Sequence, residues 1–522
     1  MGGRRFSLPE EGGVIGSCEN GMALFFERWM RWGMMAGGMW MWTGSVGWGA
    51  DAGLHALLVG GGPDREDNTA QIEEHLRFVT SLVPVSRGRV VLFADGKAGS
   101  RDLSYTDESQ LTAGQRALDV LLPNDGLGAK VETRTPRLGT ALDGPARLGA
   151  IDKGMRRLAG MSGPDGPPVL LYFAGHGSQS ERKDGESLYS LWGDEDLDAG
   201  TLLGEMDELP PRVRVTVVMA QCFSGGFGNM MFKDANGDGG MNERLMTGFF
   251  AAESDREAAG CGTDTGSPLY QDFSSYFFGA LSGRDKLGNV VEGADYDGDG
   301  KVSCYEAMCY AMIHDESIDT PVCTSMLYLR RFANVDDGVI FTTPYSKVLE
   351  TATPGQRAVL EGLSARLGVT GEGRVLAAYD RLMFADPMGQ AGQLRAYRDA
   401  QDRLNGLRMD NLHALFVRWP ALRWRGSHDY DKATKGAAAE LTADGARRKG
   451  ILDAEEAFDR ADAALDTEEG LLVRYTDMAE AVVRARYLRE HGDGGTKGRF
   501  EEIWKAEQEG LPIVMARKGA GG

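Results

Sequence analysis

Four short apolar, β-prone runs limit what this chain can fold into: HALLVGGG at 55–62, RVVLF at 89–93, VLLYF at 169–173 and VRVTVVMA at 213–220. Between the first two, residues 66–82 carry Ile72, Leu76, Val79 and Leu82 at helical spacing, and helices are also expected near 145–161 and 199–208. Residues 246–252 and 272–281 predict a further strand and helix. Strands alternating with helices predict an α/β fold whose mainly parallel sheet is covered on both faces. Ligands bind such sheets at the carboxyl ends of the strands.

Two of these runs end in motifs that carry chemistry. YFAGHGS (172–178) sets His176 just beyond one strand, and MAQCFSGG (219–226) sets Cys222 just beyond another. A free thiol is mostly protonated at neutral pH, and a nearby imidazole can take its proton and later protonate a leaving amine. The oxyanion formed in such an attack needs amide donors, and the Gly177 and Cys222 N–H groups are the candidates. His176 lies 46 positions before Cys222 (222 − 176), close to the roughly 50 of caspases. A surface histidine and a structural cysteine are the bland alternative, and the Gly-His-Gly and Cys-x-Ser-Gly-Gly frames weigh against it.

On these motifs the chain resembles the caspase-like clan of cysteine peptidases, and within it the legumain (C13) family, over roughly residues 55–281. AAESDREAAGCGTD (251–264) also resembles the legumain segment that follows the nucleophile. The resemblance implies a cysteine endopeptidase acting on protein or peptide substrates, with His176 and Cys222 as its dyad. It also implies P1 selection by Asp264, joined by Gln221 beside the nucleophile. Asp67 or Asn68 would stand where legumains keep an asparagine that orients the histidine. The arginine with which legumains bind P1 Asn or Asp has no counterpart in DNTAQ (67–71), and Ala220 and Gln221 replace the acid that precedes the metacaspase nucleophile. A transpeptidase or ligase of the same family and a non-catalytic, calcium-dependent binding protein are the alternative functions.

DYDGDGKVSCYE (295–306) matches an EF-hand calcium loop at every ligand position. Asp295, Asp297 and Asp299 supply carboxylates, Gly300 the sharp turn, Lys301 a backbone carbonyl, Ser303 the ninth position and Glu306 the closing bidentate carboxylate. A helix over 305–314 can follow, but 283–293 does not read as a helix, so an isolated calcium loop is expected. A second run from Asp234 starts similarly but has Leu245 at the closing position.

After about residue 346 the runs give way to amphipathic segments rich in Ala, Leu, Arg and Glu at 354–367, 393–407, 451–465 and 471–488. A separate helical domain is expected, serving as an accessory bundle, or as a latency module that binds the peptidase domain or a partner protein. At the other end, Arg28 and Arg31 flank an uncharged core at 33–48, and Ala50-Asp51-Ala52 fits a cleavage site. A leader over 1–52, its signal-like stretch beginning at Met22, and export to a periplasmic or extracellular location are expected, with no stable membrane span after its removal; a disordered or membrane-adhering extension on a cytoplasmic protein is the alternative. Cys222 would then be left with Cys261, Cys304, Cys309 and Cys323, which form either two disulfides, with three pairings open, or four buried thiols. The net charge of −20 argues against a nucleic-acid partner.

Overall fold

The four apolar runs become neighbouring strands of one sheet. The computed structural model describes residues 53–514 apart from 84–87, 181–185, 238, 265–270 and 385–390. The leader expected over 1–52, with Cys18, lies outside the described residues. The strands are β1 (His55–Gly61), β2 (Arg89–Phe93), β3 (Leu103–Thr106), β4 (Val131–Arg134), β5 (Val169–Gly175), β6 (Gly177–Gln179), β7 (Ser187–Leu191), β8 (Glu195–Asp198), β9 (Val215–Ala220), β10 (Met246–Phe250) and β11 (Val322–Cys323). The central sheet runs β11-β10-β9-β5-β1-β2 and is parallel except for β11, while β3-β4 and β6-β7-β8 form small antiparallel sheets. Every residue of β1, β5 and β9 is buried, as expected of strands covered on both faces.

Helices cover both faces of the sheet. The first in the chain are α1 (Ala70–Leu82), α2 (Ala113–Leu121), α3 (Leu148–Met161), α4 (Ala199–Met206) and α5 (Phe273–Ser282). The chain steps from β1 to β2 in one direction and from β2 across to β5 in the other. Right-handed crossovers therefore set α1 and α3 on opposite faces. That reversal leaves a crevice at the carboxyl ends of β1 and β5.

The remaining helices are α6 (Cys304–His314), α7 (Thr324–Phe332), α8 (Asp337–Thr342), α9 (Tyr345–Thr351), α10 (Pro354–Arg366), α11 (Arg374–Phe384), α12 (Ala391–Arg418), α13 (Tyr430–Ala443), α14 (Gly445–His491) and α15 (Gly494–Glu507). The structure corrects the expected domain boundary, because Ala52–Gly522 is one compact unit. Leu472, Tyr475, Met478 and Val482 of α14, with Phe500 and Ile503 of α15, belong to the same apolar core as the sheet. The compositional change near 346 marks a change from strand to helix, not the edge of a core. A second, smaller cluster joins α2, α12, α13 and the start of α14.

The helices predicted at 451–465 and 471–488 are one 47-residue helix. Gly470 does not break it, and an ideal Cβ there would already be 3.5 Å from the Ser317 carbonyl. Cys222, Cys261, Cys304, Cys309 and Cys323 are all free thiols, so of the two alternatives the disulfides are not formed; Cys304, Cys309 and Cys323 are buried and Cys261 is half-buried. Among the described residues no helix is long and apolar enough to cross a membrane.

Candidate active site

The ladder between β5 and β9 pairs Ala174 with Ala220. Two residues past each stand His176 and Cys222, on neighbouring strands whose backbones run about 4.8 Å apart. Gly177 makes the approach closer. An ideal Cβ there would be 2.7 Å from Gln221 Cγ and nearer still to the Cys222 carbonyl oxygen, so a residue without a side chain is required. His176 Nε2 lies 2.8 Å from the Asp67 carbonyl. A carbonyl only accepts, so Nε2 carries the proton and Nδ1 is left as the basic nitrogen.

Gly177 also offers an amide. The Ser190 N–H donates to the His176 carbonyl (3.0 Å), which makes Gly177 and Tyr189 a non-hydrogen-bonded pair. The Gly177 N–H is thereby turned away from β7. The half-buried Cys222 sulfur lies 3.2 Å from the Ala258 N–H and 3.5 Å from the Ala258 carbonyl. Burial pushes the thiol's pKa up, as do Glu257 and Asp319, while the Ala258 and Cys222 amides pull it down. The resting group is a thiol, which would need a base to act as a nucleophile.

Phe223, directly after the cysteine, adopts φ 60° and ψ 16°. Left-handed backbone at a bulky residue is costly and is found where surroundings enforce it. Here the Phe223 N–H is fixed to the Arg256 carbonyl (2.7 Å) and Gly225 N–H to Ala252 (2.8 Å). The turn therefore projects Cys222 from the sheet edge.

Residues 252–264 form a strap along this edge. Ala259 N–H donates to Asp319 Oδ1 (2.7 Å) and Cys261 Sγ to the Gly175 carbonyl (3.1 Å). Gln71 on α1 receives the Gly262 N–H at Oε1 (2.8 Å), donates from Nε2 to the Asp264 carbonyl (2.6 Å), and donates its own N–H to the Gly262 carbonyl (3.2 Å). Asp264, half-buried, ends this wall.

The structure thus brings together His176, Gly177, Cys222 and the strap that ends at Asp264. It does not bring in Gln221, which is fully buried with Oε1 lacking a hydrogen-bond partner among the described residues. Consecutive residues leaving a strand face opposite sides, so exposing Cys222 turns Gln221 inward. The orienting partner of His176 is the Asp67 backbone, not a side chain. Asn68 is buried and donates instead to the Asp102 carbonyl (2.7 Å). Sequence reasoning missed Gln71, whose partners lie 191 and 193 positions away, and the left-handed turn at Phe223.

The acidic loop lies at the other end of α6 from Asp319, about 16 Å along an 11-residue helix. One carboxylate oxygen each of Asp295, Asp297 and Asp299 fall within 4.8 Å of one another. Gly300 takes φ +87°. An all-oxygen donor set of this kind fits a hard divalent cation. Glu306, the expected closing ligand, lies at the end of this loop. It accepts the amides of Tyr296, Asp297 and Ser303 and the Ser303 hydroxyl, closing a capping box on α6. Lys301 donates its amide to Asp299 (2.8 Å). Residues 283–293 make a turn with an Arg284–Val290 bridge, so the loop has no entering helix.

Compared with protein-family models and with curated proteins, the chain matches none.

Proposed function

We propose that this chain is a cysteine endopeptidase of the caspase-like clan, closest to the legumain family, with Cys222 as nucleophile and His176 as general acid and base. The observation that carries the reading is the matched register of β5 and β9, with Gly177 pressed against the Cys222 carbonyl. In this reading Nδ1 of His176 accepts the thiol proton as Sγ bonds to the substrate carbonyl carbon. The oxyanion takes hydrogen bonds from the Gly177 and Cys222 N–H groups. Its collapse breaks the C–N bond, the amine leaves with the proton from Nδ1, and a thioester remains on Cys222. Water then adds to the thioester and gives a proton to Nδ1. The second collapse releases the acid and returns that proton to sulfur.

Asp264 gives the substrate cleft an acid for P1 selection. Asp295, Asp297 and Asp299, with the Lys301 carbonyl, Ser303 and Glu306 by loop position, would hold a structural calcium ion that takes no part in the chemistry. Export through the leader belongs to the same proposal. The test is cleavage of a fluorogenic peptide library varied at P1 by the full chain and by residues 53–522, beside Cys222→Ala. Cleavage abolished by Cys222→Ala is expected. Cleavage that survives the substitution, or none under any condition, refutes the peptidase.

A further inference from the structure

The wall beside Cys222 is held from the far end of the chain. Arg474, in the middle of α14, is fully buried. Its guanidinium donates to the carbonyls of Asp319 (2.6 Å), Asp315 (2.6 Å), Ser317 (2.8 Å) and Met312 (3.4 Å). A buried guanidinium costs much free energy unless its donors are filled, so these bonds fix residues 312–319 as one body. At the end of that segment Asp319, also fully buried, receives the Ala259 N–H on one oxygen and the Phe273 N–H on the other, each at 2.7 Å. The residue before Ala259 is Ala258, whose amide touches the Cys222 sulfur. Two further ties come from the same helix. Glu469 pairs with Arg256 (2.9 Å), and Asp477 and Glu480 hold Arg330 (2.9 and 3.1 Å), which grips Glu253 (2.7 Å). From Glu469 to Glu480 the ties cover about 16 Å of α14.

We propose that Arg474 and Asp319 are positioning residues for the Cys222 thiol, and that α14 is a permanent brace of the active-site wall rather than part of a latency module. The proposal rests on Cys222 being the nucleophile. Its physical content is that the Ala258 amide reaches the sulfur only while Asp319 holds Ala259 and Arg474 holds Asp319. Residues 445–491 are then needed for reactivity, and cleaving them off silences the site instead of opening it.

The test uses the full chain and a small reagent that needs no substrate pocket. Iodoacetamide alkylation of Cys222, assigned by mass spectrometry, is followed from pH 6 to 9.5 in wild type, Asp319→Asn and Arg474→Lys, below each variant's melting temperature. The amide side of asparagine cannot accept an N–H, so Asp319→Asn frees one of the two amides. Arg474→Lys keeps the charge but loses the fork. The Ala258 amide lies 3.2 Å from the sulfur and favours the thiolate, so its displacement is expected to shift the alkylation midpoint upward, with at least a tenfold slower rate at pH 7. Arg474→Lys, the milder change, gives the same shift in smaller measure and decides the matter if Asp319→Asn does not fold. A lower melting temperature with an unmoved midpoint and rate makes the two residues merely structural and overturns the proposal. Alkylation reports on Cys222 whether or not peptides are cleaved. A chain that cleaves nothing yet shows the shift refutes the peptidase and leaves the brace standing.

Discussion

Gly177→Ala is the sharpest perturbation of the candidate site, because the need for glycine there is one of space alone. Gly177 is not among the residues with positive φ, so its backbone conformation is open to alanine. The obstacle is what an ideal Cβ would meet, Gln221 Cγ at 2.7 Å and the Cys222 carbonyl oxygen still closer. Carbon atoms rest at about 3.5–4.0 Å from one another, so the new methyl group is short of contact distance by about 1 Å. Gln221 is fully buried and cannot swing away. Relief must come from separating the strand ends that carry His176 and Cys222. Overpacking of this size costs about 1–3 kcal/mol of stability, and a 1 Å misplacement of reacting groups costs about 10²-fold in rate. Peptide cleavage and thermal melting of Gly177→Ala, measured side by side, should show a folded protein with a lower melting temperature and about a hundredth of the wild-type kcat. Wild-type kcat and stability together would refute the close approach from which the dyad is argued.

The other expectations concern separate parts of the molecule. His176→Ala should lower kcat by about 10²–10⁴-fold, the range for loss of a general acid–base, and a smaller loss by peptide assay would remove His176 from the mechanism. Asp264→Asn should change which P1 residues are cleaved in the fluorogenic library, and an unchanged profile would take Asp264 out of the specificity pocket. Calcium at 100-fold above its Kd should stabilise the protein by about 2.7 kcal/mol, seen as a higher melting temperature that chelator reverses and Asp297→Asn lacks. If calcium leaves wild type and Asp297→Asn alike, the loop does not bind it. The buried His75 ring accepts a hydrogen bond from Lys286 (3.1 Å) and donates one to Asp272 (3.0 Å), which fits the neutral form. Burial lowers its pKa from 6.5 to about 4, with Lys286 acting in the same direction and Asp272 opposing. Below pH 6.5 the unfolded ring takes up a proton that the folded ring refuses. Stability is therefore lost between pH 6.5 and 4, by up to about 3 kcal/mol. Denaturant titrations at pH 7 and 4.5 should show His75→Gln losing about 2–3 kcal/mol less than wild type, and equal losses would show that His75 is not held neutral.

The parts of the fold legible in the sequence were those with strong local patterns. β1, β2, β5 and β9 stand where apolar runs predicted them, and α1 follows the spacing of Ile72, Leu76 and Val79. The hairpin strands β6 and β8 were invisible, since GSQ and EDLD carry no apolar run. The segments expected at 451–465 and 471–488 run together because a helix tolerates the polar stretch 466–469 and Gly470 when its other face is anchored in a core. At the site, strand ends located His176 and Cys222, because the residues that place them are local. Gln71, Asp319 and Arg474 were not legible. Each acts through backbone groups of segments distant in sequence, and a carbonyl or amide partner leaves no mark on residue identity. Gln221 was misplaced because adjacency in sequence was taken for adjacency to substrate, whereas the strand alternates sides.

The order in which the chain is made gives the Arg474 bonds a further consequence. Arg474 is synthesised 252 residues after Cys222 (474 − 222). At about 5–20 residues per second this is a delay of roughly 13–50 s. Over the last 155 residues of that interval (474 − 319), roughly 8–31 s at the same rate, residues 312–319 exist without the guanidinium that joins their carbonyls, and Asp319 has no fixed place from which to hold Ala259. The sheet can assemble around β1, β5 and β9 while this wall of the crevice is still loose. On the proposed reading, the wall beside Cys222 is the last part of the crevice to be set, well after His176 and Cys222 have left the ribosome.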